Sequence, residues 1–179
     1  MKKFILLVVG MMAFQGIQAQ KYITRSGYIK FYSSTPVEDI EAASNQASSV
    51  LDVDSKQLVF QVLMNSFQFE KALMQEHFNE NYVESEKYPK GTFTGNFTSN
   101  EDISNEGQHP IVVKGKLNIH GVDHMVSQTM TLTKKAGEYF LQGKVVVSPA
   151  MFKINIPSAV QDKIGKDIEV TIKAKYQQR

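Results

Sequence analysis

Apolar and polar residues alternate in block after block along this chain, which is the period-2 pattern of strands with one buried face. In the third block, for example, Leu58, Phe60 and Val62 share a face with Met64. About eight such blocks are present, enough to close a small antiparallel barrel and remove its open edges. The predicted strands cover residues 22–31, 43–53, 57–64, 91–98, 111–120, 122–133, 138–147 and 167–176.

The first block shows how the alternation assigns faces. Ile23, Gly27, Ile29 and Phe31 all occupy odd positions, so strict alternation predicts that they share the inward face. The intervening polar and tyrosine residues then face outward.

Two passages break the alternation and predict short helices. In residues 69–79, apolar residues are spaced four apart, with Phe69 above Leu73 and Met74 above Phe78, which is the spacing of one helix face. In residues 157–164, a proline stands at the first helical position and a glycine follows the end. A polar, acidic loop is predicted at residues 99–107.

The amino-terminal residues predict a secretory signal peptide at 1–19. Lys2 and Lys3 precede an apolar run, residues 4–14, which is shorter than the roughly 20 residues that span a bilayer. Cleavage after Ala19 would leave residues 20–179, and 179 − 19 = 160 residues suffice for one well-buried core. We therefore expect a single exported domain, periplasmic or secreted, without a stable membrane anchor. The chain has no cysteine, so this core must be stable without disulfides.

The charge balance argues against nucleic acid as a partner. Removing Lys2 and Lys3 with the signal leaves 20 − 2 = 18 basic residues against 18 acidic ones. Nucleic-acid binding usually needs a clustered cationic surface, which such a balance does not favour. The sequence leaves open whether two copies form a homodimer.

Three passages carry a family resemblance: residues 73–78 (LMQEHF), residues 87–93 (KYPKGTF) and residues 115–122 (GKLNIHGV). In order and spacing they resemble the YceI-like family of exported bacterial proteins. The resemblance implies an all-β fold, an extended lipocalin-like barrel of eight antiparallel strands with one or two short helices. It also implies an elongated apolar pore that holds a long polyisoprenoid such as a quinone or a prenyl phosphate. Gln75 and Glu76 stand where the family commonly has an Arg-Asp pair, which leaves the ligand's head group open.

Large apolar residues predicted to face inward are the candidate ligand-binding set. Methionines among them, together with Met130, would let the wall adapt to an irregular guest. The alternative is an ordinary packed core, since small barrels can be filled by their own side chains. The predicted pore residues are Phe60, Val62, Met64, Phe67, Phe69, Leu73, Met74, Phe78, Phe93, Phe97, Leu117 and Ile119.

The histidines offer little chemistry beyond binding. His77 is predicted to face the barrel, either as a half-buried residue bonded to a backbone carbonyl or as a contact for a ligand head group. His120 and His124 flank a tight turn without an evident third or fourth metal ligand, and His124 is expected to be an exposed hairpin residue. No nucleophile with a base and an orienting acid is evident, so we expect no catalytic residue, metal or cofactor.

The sequence therefore favours a non-enzymatic, exported carrier of a long-chain isoprenoid or similar lipid. Its alternative is a structural or protein-interaction module whose barrel is filled by its own side chains. The interior volume separates the two, because ligand pockets usually measure several hundred cubic ångströms.

Overall fold

The computed structural model describes residues 21–179, so the predicted signal peptide lies outside the described residues. This part of the chain forms nine β-strands and one short α-helix. In chain order they are β1 (Lys21–Ser34), β2 (Asp39–Asp52), β3 (Gln57–Leu63), β4 (Gln68–Phe69), α1 (Ala72–His77), β5 (Lys90–Thr98), β6 (Gly107–Ile119), β7 (Val122–Lys135), β8 (Glu138–Val147) and β9 (Ile168–Gln178).

Eight of the strands close into an antiparallel barrel. The order around the barrel is β1-β9-β8-β7-β6-β5-β3-β2, and β2 pairs back onto β1. The two-residue strand β4 is an addition that pairs with β2 at Ala42 and Ala43. The all-β, eight-stranded antiparallel barrel predicted from the alternation is confirmed.

Two tight turns fix the register of the three long central strands. His120-Gly121 joins β6 to β7 and Ala136-Gly137 joins β7 to β8, and all four residues have positive φ angles between 51° and 77°. Positive φ at both central residues is the geometry that suits the twist of a hairpin, and glycine adopts it without strain.

Of the two predicted helices, one is shorter than expected and the other does not form. Instead of a helix over 69–79, α1 spans only Ala72–His77, and a π-helical turn follows at Phe78–Tyr82. Phe69 belongs to β4, because its backbone pairs with that of Ala42. The helix predicted at 157–164 is wrong, since only a 3-10 turn forms there at Ser158–Val160. Spacings over one or two turns favour a helix only weakly, so tertiary pairing decides.

A β-bulge corrects the predicted faces of β1. Thr24 pairs with Ser49 but Gly27 pairs with Ala47, so β1 carries one extra residue between these points. Gly27 and Ile29 face inward as predicted, whereas Ile23 does not share their face. Tyr22 is the buried residue there, because the extra residue of a bulge exchanges the two faces of the strand.

One end of the barrel is closed by its own side chains. Tyr176 of β9 is fully buried at this end, and its hydroxyl lies 2.7 Å from Ser49 Oγ. Ser49 donates its single hydroxyl hydrogen to the Val59 carbonyl at 2.7 Å, so Tyr176 is the donor to Ser49. Residues that share this core are Tyr22, Leu51, Val53, Leu58, Phe60, Phe97, Ile103, Ile111, Val113, Met130, Leu132, Tyr139, Leu141, Ala174 and Tyr176.

The polar loop predicted at 99–107 covers the closed end. It buries Ile103, and Tyr139 donates its hydroxyl hydrogen to the Ile103 carbonyl at 3.1 Å. Lys134 of β7 donates to the Ser104 carbonyl at 2.6 Å. A polar sequence thus folds over an apolar core by inserting one apolar side chain and pairing its backbone with the adjacent strands.

His109 fastens this loop and makes its stability depend on pH. Its Nδ1 lies 2.9 Å from Glu101 Oε2, and its Nε2 lies 2.9 Å from the Asn105 carbonyl. Both partners only accept hydrogen bonds, so the ring donates from both nitrogens in its charged form. The Asn105 carbonyl and the Glu101 carboxylate raise the pKa of His109 above its usual value.

A raised folded-state pKa gives stability that is complete below the unfolded pKa and is lost as pH rises through the folded value. We therefore expect His109→Gln to lower the free energy of unfolding more at pH 5.5 than at pH 9. Urea unfolding of both proteins across that range measures it. A penalty that is the same at both ends of the range would contradict the assignment.

At the other end, the barrel separates into two four-stranded sheets. Pairing between β7 and β8 stops at Met130 and Gly143, so residues 122–129 of β7 have no β8 partner among the described residues. Pairing between β2 and β3 covers only residues 48–52 of β2. One sheet then contains β8, β9, β1 and β2, and the other contains β3, β5, β6 and β7.

Candidate functional site

A large apolar cavity lies between the two separated sheets, with a volume of about 540 Å³. Eleven of the twelve predicted pore residues line it, together with Met130. They come from β3, β4, α1, β5, β6 and the segments between them, and are Phe60, Val62, Met64, Phe67, Phe69, Leu73, Met74, Phe78, Phe93, Leu117 and Ile119. That these residues contact a ligand stays a prediction.

Phe97 is the exception among the predicted pore residues. It faces inward as expected, but it is buried in the core of the closed end and does not line the cavity. Alternation along β5 assigns the face of the sheet correctly. Alternation does not indicate the position along the barrel axis at which the filled core ends and the cavity begins.

Sequence reasoning missed most of the opposite wall, which β1, the start of β2 and the carboxyl-terminal third of the chain provide. The signal is present, since β8 and β9 alternate as clearly as the other strands, but every predicted pore residue lies within residues 60–119. The missed apolar residues include Ile29, Phe31, Ile40, Val145, Val147, Phe152, Ile154, Ile156, Val160, Ile164, Ile168, Val170 and Ile172.

The cavity residue Phe93 packs over two glycines that face each other across β5 and β6. Gly95 pairs with Gly115, and a Cβ at either position would lie within 2.6 Å of the other's Cα. The Phe93 ring would meet those same Cβ positions at 2.7 and 2.8 Å, so it lies over the glycine pair. The two strands approach closely here, and Phe93 separates the hollow half from the filled half.

Four phenylalanines form a continuous aromatic cluster on one side of the cavity: Phe31, Phe67, Phe69 and Phe78. Phe31 of β1 is central, with ring centroids 5.4–5.5 Å from each of the other three. The helical segment brings Phe78, and β4 brings Phe69. Such offset and edge-on contacts stabilise aromatic pairs beyond the area they bury, so the cluster anchors α1 against the barrel.

The rim of the cavity carries its charged residues. Lys71 Nζ lies 2.7 Å from Glu38 Oε1, and Lys163 contributes a second positive charge nearby. The hydrogen bond from Lys71 holds the pKa of Glu38 below its usual value. His77 is exposed at the end of α1 and borders the cavity, so it lies at the rim and does not point into the interior.

His120 connects three segments beside the cavity. Its Nδ1 lies 3.1 Å from the Phe152 carbonyl, and its Nε2 lies 2.5 Å from Glu84 Oε2. The hydrogen bond from His120 lowers the pKa of Glu84. His120 thereby holds the turn Pro149–Phe152 over the gap between β7 and β8.

The expectation that His124 is an exposed hairpin residue is wrong. Its side chain is half-buried, and its ring centroid lies 5.4 Å from that of Phe152. Among residues 21–179, no group of three or more histidine, aspartate or glutamate side chains is placed to hold a metal ion. Within the same range, no helix is both long and apolar enough to cross a bilayer.

The family model for the YceI-like domain matches residues 21–176, which is nearly all of the described chain. The chain belongs to the YceI-like family. No curated protein matches it.

Several solved structures share the fold of this chain. A polyisoprenoid-binding domain from Saccharophagus degradans, implicated in plant cell wall breakdown, matches with a TM-score of 0.76 at 12% identity, covering 90% of this chain and 100% of that one. Burkholderia cenocepacia BcnA gives 0.71 at 13% identity, covering 84% and 96%. The Campylobacter jejuni YCEI protein gives 0.58 at 19% identity, covering 100% and 99%. At these identities the YceI-like chain shares a fold with each of them.

Proposed function

We propose that this YceI-like protein is an exported, non-enzymatic carrier of a long-chain isoprenoid or similar lipid held in the barrel cavity. The observation that carries the proposal is the cavity itself, about 540 Å³ with an almost wholly apolar wall. Ligand pockets usually measure several hundred cubic ångströms. The polyisoprenoid-binding domain of Saccharophagus degradans, which shares the fold, supports the choice of guest.

The shape of the site explains how affinity can arise without many polar contacts. A branched hydrocarbon gains about 0.8 kcal/mol for each methylene removed from water, so a chain that fills the cavity binds firmly through burial alone. Met64, Met74 and Met130 line the wall and give it adaptable surface. The branched aliphatic side chains of β8 and β9 suit a methyl-branched guest.

The polar groups of the cavity support binding over catalysis. Lys71 is paired with Glu38, and Ser33 Oγ accepts a hydrogen bond from the Gly165 N–H at 2.8 Å. His77 stands at the exposed rim. This arrangement holds no nucleophile beside a base, which is what acyl or group transfer would need. Export rests on the predicted signal peptide at residues 1–19.

The alternative is a structural module whose barrel is filled by its own side chains. Its strongest support is the closed end, where Tyr176, Leu132 and Leu141 leave almost no exposed surface. The hollow half favours the carrier, because a purely structural barrel has no need of a cavity this large.

Extraction and identification of bound material tests the proposal. The full chain is produced in a bacterial host, purified, extracted with organic solvent and analysed by mass spectrometry. We expect an isoprenoid in near-stoichiometric amount. Native mass spectrometry with added prenols then checks binding directly, since the chain has no tryptophan to report on it. Protein that is repeatedly empty and takes up no added isoprenoid would refute the carrier function.

A further inference from the structure

We propose that Gln128 recognises a neutral oxygen group, a hydroxyl or a carbonyl, at the inner end of the bound guest. The inference rests on the proposed carrier function and deepens it, since it names the chemistry of the guest and its direction. The guest would be a long apolar chain that enters with its polar end first.

The backbone aims Gln128 into the cavity. It lies on β7 between Val126 and Met130, which face the same way two residues on either side, and all three line the cavity. Its partner across the sheet is Val113 of β6, which also lines the cavity. The amide of Gln128 therefore enters a wall made of valine and methionine.

The amide has no partner in the protein. Within residues 21–179, the Gln128 side chain makes no hydrogen bond or ion pair. When an apolar guest excludes water from the cavity, an amide without a hydrogen-bond partner costs free energy, whereas a methionine of similar size would not. A guest with an oxygen group at this point would satisfy the amide, which can both donate and accept.

Gln128 stands at the deep end of the cavity. Met130, the next inward residue on β7, belongs both to the cavity floor and to the closed core, and it lies about 7 Å further along the strand. The charged lining residues are Glu38, Lys71 and Lys163, all in the group at the rim. A neutral polar group is thus the kind that this depth accommodates, because an ionised group without a counter-charge would be strongly disfavoured there.

The test compares two probes of one carbon skeleton, farnesol and the corresponding hydrocarbon without the hydroxyl. Their binding to the full chain and to Gln128→Met is measured by native mass spectrometry with direct competition between the probes. We expect the unmodified protein to prefer farnesol. Gln128→Met should weaken farnesol binding about tenfold, the effect of one hydrogen bond, and should leave hydrocarbon binding equal or stronger. Gln142→Met, the same change at an exposed position on β8, is the matched control and should change neither.

The alcohol-to-hydrocarbon ratio separates recognition from a structural role. If Gln128→Met weakens both probes equally, or changes neither, the inference is overturned while the carrier function stands. If the unmodified protein binds the hydrocarbon as well as the alcohol, the inference also fails. If neither probe binds the unmodified protein, both the proposed function and this inference fail. Melting curves of the ligand-free proteins check that both variants fold.

Discussion

Replacing Val145 and Val170 together by phenylalanine is expected to lower guest affinity by about a hundredfold or more while leaving the protein folded. These residues pair across β8 and β9, and both line the cavity. Two added rings would displace several methylenes of the guest, each worth about 0.8 kcal/mol. Because the rings fill existing space, the free energy of unfolding should stay level or rise.

Val146→Phe is the matched control for the Val145→Phe/Val170→Phe variant. Val146 lies next to Val145 on β8, but its side chain points outward and is 58% exposed. It adds the same ring to the same strand without entering the cavity, so guest affinity should be unchanged. Titration with prenols under native mass spectrometry measures both variants. Unaltered binding by the Val145→Phe/Val170→Phe protein would mean that the guest is held elsewhere.

Tyr176→Ala is expected to lower the free energy of unfolding by about 3–5 kcal/mol, the usual cost of removing a fully buried aromatic side chain. Tyr176 is completely buried at the closed end, and burial raises the pKa of its hydroxyl far above the usual value. Tyr176→Phe should lower the free energy of unfolding by only about 1 kcal/mol, because it removes one hydrogen bond to Ser49. The Ser49 hydroxyl keeps its own hydrogen bond to the Val59 carbonyl.

Ile168→Ala provides the comparison at the other end of the same strand. Ile168 lines the cavity, so its truncation enlarges a space that is already there. Urea unfolding should show a clearly smaller loss for Ile168→Ala than for Tyr176→Ala. Equal losses would contradict the division into a filled end that stabilises the fold and a hollow end that contributes less to stability.

The sequence predicts the barrel well because the alternation of apolar and polar residues is local and can be recognised within each strand by itself. It fails where the chain departs from strict alternation for reasons that lie elsewhere in the fold. Strict alternation puts Ile23 on the wrong face because a bulge is defined by the partner strand. Helical spacing puts Phe69 in a helix because its pairing with Ala42, 27 positions earlier, leaves no trace in that spacing.

The candidate site shows the same limit. Phe60 and Phe97 have equivalent patterns, yet Phe60 reaches the cavity and Phe97 lies in the filled core. The difference is height along the barrel axis, which depends on where the two sheets separate. The ion pair of Lys71 with Glu38 joins residues 33 apart, and the contact of His120 with the Phe152 carbonyl joins residues 32 apart. Such long-range contacts depend on how the strands are aligned in the folded barrel, and that alignment cannot be read from a single sequence.

The gap between β7 and β8 has a consequence for the range of guests. A continuous barrel can widen only by breaking its ladder of backbone hydrogen bonds, but beyond Met130 and Gly143 these strands share no ladder to break. The turn Pro149–Phe152, which follows β8, bridges them through the ring contact of Phe152 with His124 and the hydrogen bond of His120 to the Phe152 carbonyl. Widening this gap would break no backbone hydrogen bond between β7 and β8, so we expect the hollow half to widen more easily than the filled half. The cavity volume of about 540 Å³ would then be a lower bound on the largest guest that could be accommodated.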